Sequence, residues 1–157
     1  MELVLRALMP NDAGAARALV SAQFAGTRYQ PRALELLDSA LEFQDPEYMA
    51  VLAFDEHESR LVGLVLFGTV AGAHGVAKVH GIVSRELEVA VALLDAIRRA
   101  SEHSGERMIV CEIPDDAPFA IAVQALEATG FTEEGRVPDF VREGVALRLL
   151  VRPLYSA

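Results

Sequence analysis

Residues 76–113 read VAKVHGIVSRELEVAVALLDAIRRASEHSGERMIVCEI and decide the fold. Val76–Val83 and Met108–Ile113 are short apolar runs typical of buried strands, whereas Arg85–His103 carries apolar residues at helical spacing. Gly105 can end this helix, because glycine readily adopts the left-handed conformation of a helix C-terminus. Two strands joined by a crossover helix run parallel. The stretch therefore predicts a parallel strand pair connected by a helix.

The flanking sequence predicts two hairpins and further helices. Apolar runs separated by charged turns predict the hairpins Tyr48–Phe54 with Leu61–Val70 and Phe131–Val137 with Val145–Val151. The other predicted elements are a strand at Val4–Leu8, two helices between Asn11 and Leu41, and a helix at Pro118–Thr129. No linker, repeat or low-complexity segment interrupts residues 1–157, so we expect one domain. The expected fold class is α/β of the α+β type, with a mixed, mostly antiparallel sheet.

Composition limits the classes of function. The formal net charge of −9 argues against nucleic-acid binding and favours cationic or neutral ligands over anionic ones. We expect a cytoplasmic protein, since no apolar run could span a bilayer and the N-terminus lacks the pattern of a signal peptide. The one cysteine, Cys111, excludes an intramolecular disulfide and a cysteine zinc cluster, and the four histidines lack metal-ligand spacing.

The order of elements resembles the GCN5-related N-acetyltransferase (GNAT) family over nearly the whole chain. LVLRALMPND, residues 3–12, is similar to the opening strand and polar cap of that family, and ALEATGF, residues 125–131, to its helix ending in Gly-Phe. GRVPDFVREGVALRLLVRPL, residues 135–154, looks like its closing hairpin. The resemblance implies a sheet of six to seven strands flanked by about four helices, with a splay between Val76–Val83 and Met108–Ile113.

The resemblance also implies where acetyl-CoA would bind as co-substrate. Backbone groups of Gly81, Ile82, Val83 and Ser84 would hold the pantetheine arm in the splay. The family motif R/Q-x-x-G-x-G/A, which binds the pyrophosphate, matches Arg85 to Ala90 at its first and last positions.

Glu88 stands where that motif has its first glycine, and the segment before Arg85 is shorter than usual. A side chain there limits close backbone approach, and a carboxylate repels phosphate, which weighs against cofactor binding. The residues alone leave a second interpretation open, in which Ser84 caps the helix and Glu86 and Glu88 complement its dipole.

Three residues are candidates for the chemistry of acetyl transfer, which needs a neutral amine and a proton acceptor. Glu112 lies inside an apolar strand beside the splay and is the first candidate for a base or an amine-binding group. His80 is the second; three residues before Val83, it should point to the other face unless a bulge resets the alternation. Tyr29, in the loop 26–31, is a candidate for substrate binding. Leu126 occupies the position where the family often has a tyrosine acid.

Three functions stay open at this point. The first is an N-acetyltransferase that acts on a primary amine of a small molecule or peptide. The second is a binding or regulatory domain that keeps the fold and has lost acetyl-CoA. The third is a structural partner that pairs through an exposed strand of its last hairpin; the apolar content of Val145–Val151 would also allow a homodimer.

Overall fold

The computed structural model describes residues 1–42, 45–57 and 59–154. Its strands are β1 (Leu3–Ala7), β2 (Met49–Asp55), β3 (Arg60–Thr69), β4 (Val76–Ser84), β5 (Met108–Pro114), β6 (Thr132–Arg142) and β7 (Val145–Pro153). Its helices are α1 (Ala13–Gln23), α2 (Gln30–Glu42), α3 (Leu87–His103) and α4 (Ala120–Ala128), with short 3-10 turns at Pro10–Asp12 and Ala117–Phe119. None of these helices is long and apolar enough to cross a membrane.

The seven strands form one sheet in the order β1-β2-β3-β4-β5-β7-β6. Every neighbouring pair is antiparallel except β4 and β5, which are parallel and joined by α3. The expected mixed, mostly antiparallel sheet and its crossover helix are thereby confirmed. The strand β7 lies between β5 and β6, so both of its backbone edges are paired within the sheet. The exposed strand of the last hairpin is β6.

The parallel strands β4 and β5 separate along their length. They pair from Val76 with Met108 to Val79 with Cys111. Beyond that point β4 continues to Ser84 and β5 to Pro114 without pairing to each other. The predicted splay is therefore present, and the backbone edges that face it are available to a ligand.

Helices cover both faces of the sheet and form two cores. Buried residues of α3 and α4, such as Leu93 and Leu126, pack on one face. Buried residues of α1 and α2, such as Val20 and Leu37, pack on the other. This arrangement follows from the helical spacing of apolar residues in each helix, and it leaves the splay open between the two layers.

A β-bulge interrupts β4 at His80. Leu66 of β3 pairs with Gly81 and Phe67 pairs with Val79, so His80 is the extra residue. Val79 and Ile82 both pack in the α3–α4 core, although an odd number of residues separates them. Val83, an even number of residues after Val79, packs in the α1–α2 core instead. The bulge therefore resets the alternation of side chains just where the splay begins.

Candidate acyl-transfer site at the strand splay

A cavity of about 310 Å³ lies at the splay, beneath α1 and α2. Its walls are mostly aliphatic and aromatic side chains with a few polar groups, which is the usual make-up of a small-molecule site. The lining residues are Val20, Phe24, Arg28, Tyr29, Arg32, Ala33, Leu36, Leu66, His80, Gly81, Ile82, Val83, Cys111, Glu112, Ile113, Pro114, Phe119 and Val141.

The cavity brings together most of the residues that the sequence singled out. Glu112, His80 and Tyr29 all line it, as do Gly81, Ile82 and Val83. His80 was expected to point away from the face of Val83 unless a bulge reset the alternation; that bulge is present at His80, and both residues line one cavity. Ser84, Arg85 and Ala90 are outside the lining.

His80 is held in a defined orientation. Its Nε2 lies 2.8 Å from the backbone oxygen of Glu47, and its ring stacks on Tyr48 with 5.2 Å between centroids. A carbonyl oxygen can only accept, so Nε2 carries the proton and Nδ1 is the ring atom with a free lone pair. Burial lowers the pKa of His80, with smaller contributions from Lys78 and Arg32 against the opposing bond to Glu47. The imidazole is therefore neutral and able to accept a proton near pH 7.

The segment that carries Glu47 fits against β3 because of Gly68. A Cβ at Gly68 would lie 2.0 Å from the oxygen of Glu47 and 2.6 Å from that of Pro46. Glycine is therefore required at this approach, which places the acceptor of His80. The sequence contained this signal only as an isolated glycine within an apolar strand.

Glu112 is half exposed and lies beside the one lysine of the chain. Its Oε1 is 3.7 Å from the Nζ of Lys78, whose side chain is 31% exposed. At this separation the lysine offsets part of the negative charge without a close hydrogen bond. The neighbouring Cys111 is buried, and burial raises the pKa of its thiol to about 12, so it is not a nucleophile.

Tyr29 ties the α1–α2 loop to the start of the α4 region above the cavity. Its hydroxyl donates to Oδ2 of Asp116 at 2.7 Å, and its ring meets Phe119 edge-on at 4.7 Å. Asp116 also accepts from the amide of Ala117 and lies 3.6 Å from Arg142. Burial, followed by Asp116, raises the pKa of Tyr29 to about 12. The phenol therefore stays protonated, and its proton is engaged in this bond.

Sequence reasoning missed two arginines in the cavity wall. Arg28 precedes Tyr29, and Arg32 lies in the first turn of α2; both side chains are exposed at the cavity. The available signal was a cation on each side of Pro31, one in the loop 26–31 and one just after it, in an acidic chain. Nothing in their spacing indicates that the loop folds over a cavity.

The start of α3 is built differently from the cavity. Only Arg85 and Glu86 separate β4 from the helix, and the buried Ser84 accepts from the amide of Glu86 at 3.1 Å. Ser84 thus shapes this turn but does not cap α3, whose N-cap residue Glu86 makes no side-chain cap bond. Glu88 is exposed in the first turn of α3 and complements its dipole.

Ala90 is committed to the helix interior. It is fully buried in the α3–α4 core, and its amide donates to the oxygen of Glu86 at 3.2 Å. These contacts give no support to its predicted role at a phosphate. Leu126, at the position of the family's tyrosine, is likewise fully buried in this core.

The two halves of an acetyl-CoA site fit this chain unequally. Gly81 has open space where a Cβ would stand, so the strand edge can be approached closely at the splay. At the start of α3 the exposed Arg85 is followed by the carboxylates of Glu86 and Glu88. The residues present accommodate a pantetheine and a thioester better than they accommodate a pyrophosphate.

Comparison by sequence gives no relative: no protein-family model matches the chain, and no curated protein matches it. Comparison by structure gives many. A protein from Desulfovibrio desulfuricans assigned to the GNAT family of acetyltransferases superposes with a TM-score of 0.81 at 22% identity, over 97% of this chain and 99% of the other.

Two further structures show the same likeness. Aminoglycoside 6'-acetyltransferase type Ii superposes with a TM-score of 0.79 at 16% identity, over 98% of this chain and 99% of its own. A protein from Salmonella typhimurium assigned as an acetyltransferase, whose structure contains acetyl-CoA, superposes with a TM-score of 0.74 at 13% identity, over 99% and 95%. At such identities the likeness concerns the fold, and the superpositions cover 97–99% of this chain. The chain has the fold of the GCN5-related N-acetyltransferases.

Proposed function

We propose that this protein is an N-acetyltransferase that transfers the acetyl group of acetyl-CoA to a primary amine of a small molecule or peptide. The observation that carries the proposal is the cavity at the splay. It places two groups able to accept a proton, Glu112 and His80, beside the unpaired strand edge at Gly81.

The transfer is a direct displacement. The amine nitrogen forms a bond to the carbonyl carbon of the thioester, the carbon–sulfur bond breaks, and the thiolate takes up a proton. The amine must first lose a proton, because an ammonium has no lone pair with which to attack. Backbone amides along the unpaired edge of β4 would polarise the carbonyl oxygen.

Glu112 and His80 would both act on the amine of the acceptor, as proton acceptors. The carboxylate of Glu112 attracts the ammonium group and accepts its proton, directly or through water. His80, neutral and with Nδ1 free, is a second acceptor in the same cavity. The hydrogen bond from Tyr29 to Asp116 would hold the α1–α2 loop over the acceptor, as the upper wall of the cavity. The thiolate receives its proton from water or solvent, since Leu126 cannot supply one.

A second function is favoured by the start of α3. The short turn at Arg85–Glu86 and the exposed Glu88 suit a fold that no longer binds acetyl-CoA and serves as a binding or regulatory domain. In this alternative the cavity would still bind a ligand, but no acetyl group would be transferred.

Incubation with acetyl-CoA and a panel of primary amines tests the proposal, with release of CoA thiol and the mass of the product as readouts. We expect acetylated product in the wild type and a strong loss in Glu112→Gln. Absence of product with every amine, together with absence of acetyl-CoA binding in calorimetry, would leave the binding-domain alternative.

A further inference from the structure

The cavity carries a local charge opposite to that of the chain. Glu112 is the one carboxylate among its lining residues in the described part of the chain, whereas Arg28 and Arg32 supply two guanidinium groups. Glu112 is itself partly offset by Lys78 at 3.7 Å. The charges of Lys78 and Arg32 both contribute to lowering the pKa of His80, so positive charge acts on the imidazole in the cavity wall.

Both arginines are available to a ligand. In the part of the chain that the structure describes, Arg28 makes no hydrogen bond or ion pair. Arg32 contacts Glu35 at 3.2 Å, but the two side chains are 69% and 68% exposed. An ion pair so exposed contributes little and is easily exchanged for a ligand. The nearby Arg142 differs, because it already faces Asp116.

We infer that the acceptor is an amine that also bears a carboxylate and an apolar body, in the manner of a free amino acid with an apolar side chain. Arg28 and Arg32 bind the carboxylate, since the planar guanidinium matches its two oxygens. Glu112 receives the ammonium group, and the apolar wall that includes Phe24, Leu36 and Phe119 receives the side chain. The inference rests on the proposed function. It narrows the acceptor from amines of small molecules or peptides to free amino acids.

The test compares L-phenylalanine with L-phenylalaninamide, which differ only in the carboxylate. Acetylation is followed by CoA release in the wild type, Arg28→Gln, Arg32→Gln and the double variant. Arg99→Gln is the matched control, because Arg99 is an exposed arginine on α3 outside the cavity. The two amines differ in basicity, so the quantity to compare is the ratio of their kcat/KM values across the variants.

We expect the ratio of phenylalanine to phenylalaninamide to fall by about 10- to 100-fold in the double variant, the range for losing charge-assisted hydrogen bonds. The loss should lie in the KM of phenylalanine, with its kcat and both constants of the amide little changed. Arg99→Gln should leave the ratio at its wild-type value. A ratio that is unaffected by the double variant, with either amine acetylated, overturns the inference and leaves the proposed function standing.

Calorimetric titration of each amine, with CoA present, tests the inferred ligand class separately from the proposed acetyl transfer. Arginine-dependent binding of phenylalanine without any acetylation supports the inferred ligand class and contradicts the proposed acetyl transfer. Failure of phenylalanine to bind or to be acetylated by the wild type overturns the inference. Circular dichroism melts of all variants show whether each is folded.

Discussion

The cavity at the splay, called the acceptor end below, and the start of α3, called the phosphate end, differ in how completely they are formed. At the acceptor end a bulge, a glycine contact and a tyrosine–aspartate bond converge on one cavity, with His80, Glu112 and Tyr29 in its wall. At the phosphate end the connection to α3 consists of Arg85 and Glu86, followed by the exposed Glu88. The cavity is therefore more completely formed as a ligand site than the start of α3 is as a site for a diphosphate.

The largest effect that this comparison predicts is at the acceptor end. Glu112→Gln should lower kcat/KM by about a hundredfold, since the amide neither attracts the ammonium nor accepts its proton. The half-exposed side chain should leave the melting temperature almost unchanged. Glu56→Gln, an exposed carboxylate after β2, serves as the control. Undiminished activity in Glu112→Gln would remove this residue from the reaction.

A smaller effect is expected from His80→Gln, of about tenfold in kcat. The pKa of His80 lies below its ordinary value of 6.5 because the ring is buried. If His80 accepts a proton, the wild-type rate falls with decreasing pH only below that value, since the neutral form is the active one. The measurement is the pH–rate profile between about pH 5 and 9. An acidic limb that is identical in His80→Gln would assign it to another group.

The phosphate end should respond in the opposite direction, as a gain. Removal of the exposed carboxylate in Glu88→Gly should strengthen acetyl-CoA binding by about 1 kcal/mol, or about fivefold, because solvent screens the charge. Glycine costs α3 about 1 kcal/mol in stability, and Glu88→Gln separates charge from backbone.

S-acetyl-N-acetylcysteamine, a thioester without the nucleotide, sharpens this test. Its use as a donor should be unaffected by either variant at Glu88, since it has no diphosphate to repel. Equal gains with both donors would mean that Glu88 acts on the fold and not on the phosphates.

The smallest effect concerns the roof of the cavity. Tyr29→Phe removes the 2.7 Å bond to Asp116, at a cost of about 1 kcal/mol in stability and a lowering of the melting temperature by about 2–4 °C. We expect a change of about threefold in the acceptor KM, since the ring contact with Phe119 remains. Because the pKa of Tyr29 is raised to about 12, its ionisation should produce no alkaline limb below about pH 11. A hundredfold loss of kcat would instead give the hydroxyl a direct part in the reaction.

Local sequence patterns were sufficient for the elements but not for the site. The apolar stripe of α3 and the runs of β4 and β5 predict the crossover, because it depends on short-range periodicity and chain direction. The splay was expected from the family resemblance. The face of His80 depends on its pairing with β3, where one extra residue reverses the expected orientation. No pattern within β4 alone contains that register.

The net charge of the whole chain does not indicate the charges that line the cavity. The value of −9 favoured a cationic or neutral ligand, yet the cavity wall contains Arg28 and Arg32 against Glu112 alone. Which charges meet at a cavity depends on how the loop before α2 folds over the sheet. Tyr29 lines the cavity, but its engagement with Asp116, 87 residues later in the chain, is a tertiary contact that local sequence does not indicate.

Calorimetric titration of acetyl-CoA into the wild type and Gly81→Phe tests the central claim most directly. Gly81 lines the cavity, and a Cβ there meets no atom within 4 Å, so a side chain at this position starts in open space at the splay. The account predicts single-site binding in the wild type that is lost in a Gly81→Phe protein of nearly unchanged melting temperature. Absence of binding in the wild type, or equal binding in the two proteins, would contradict it.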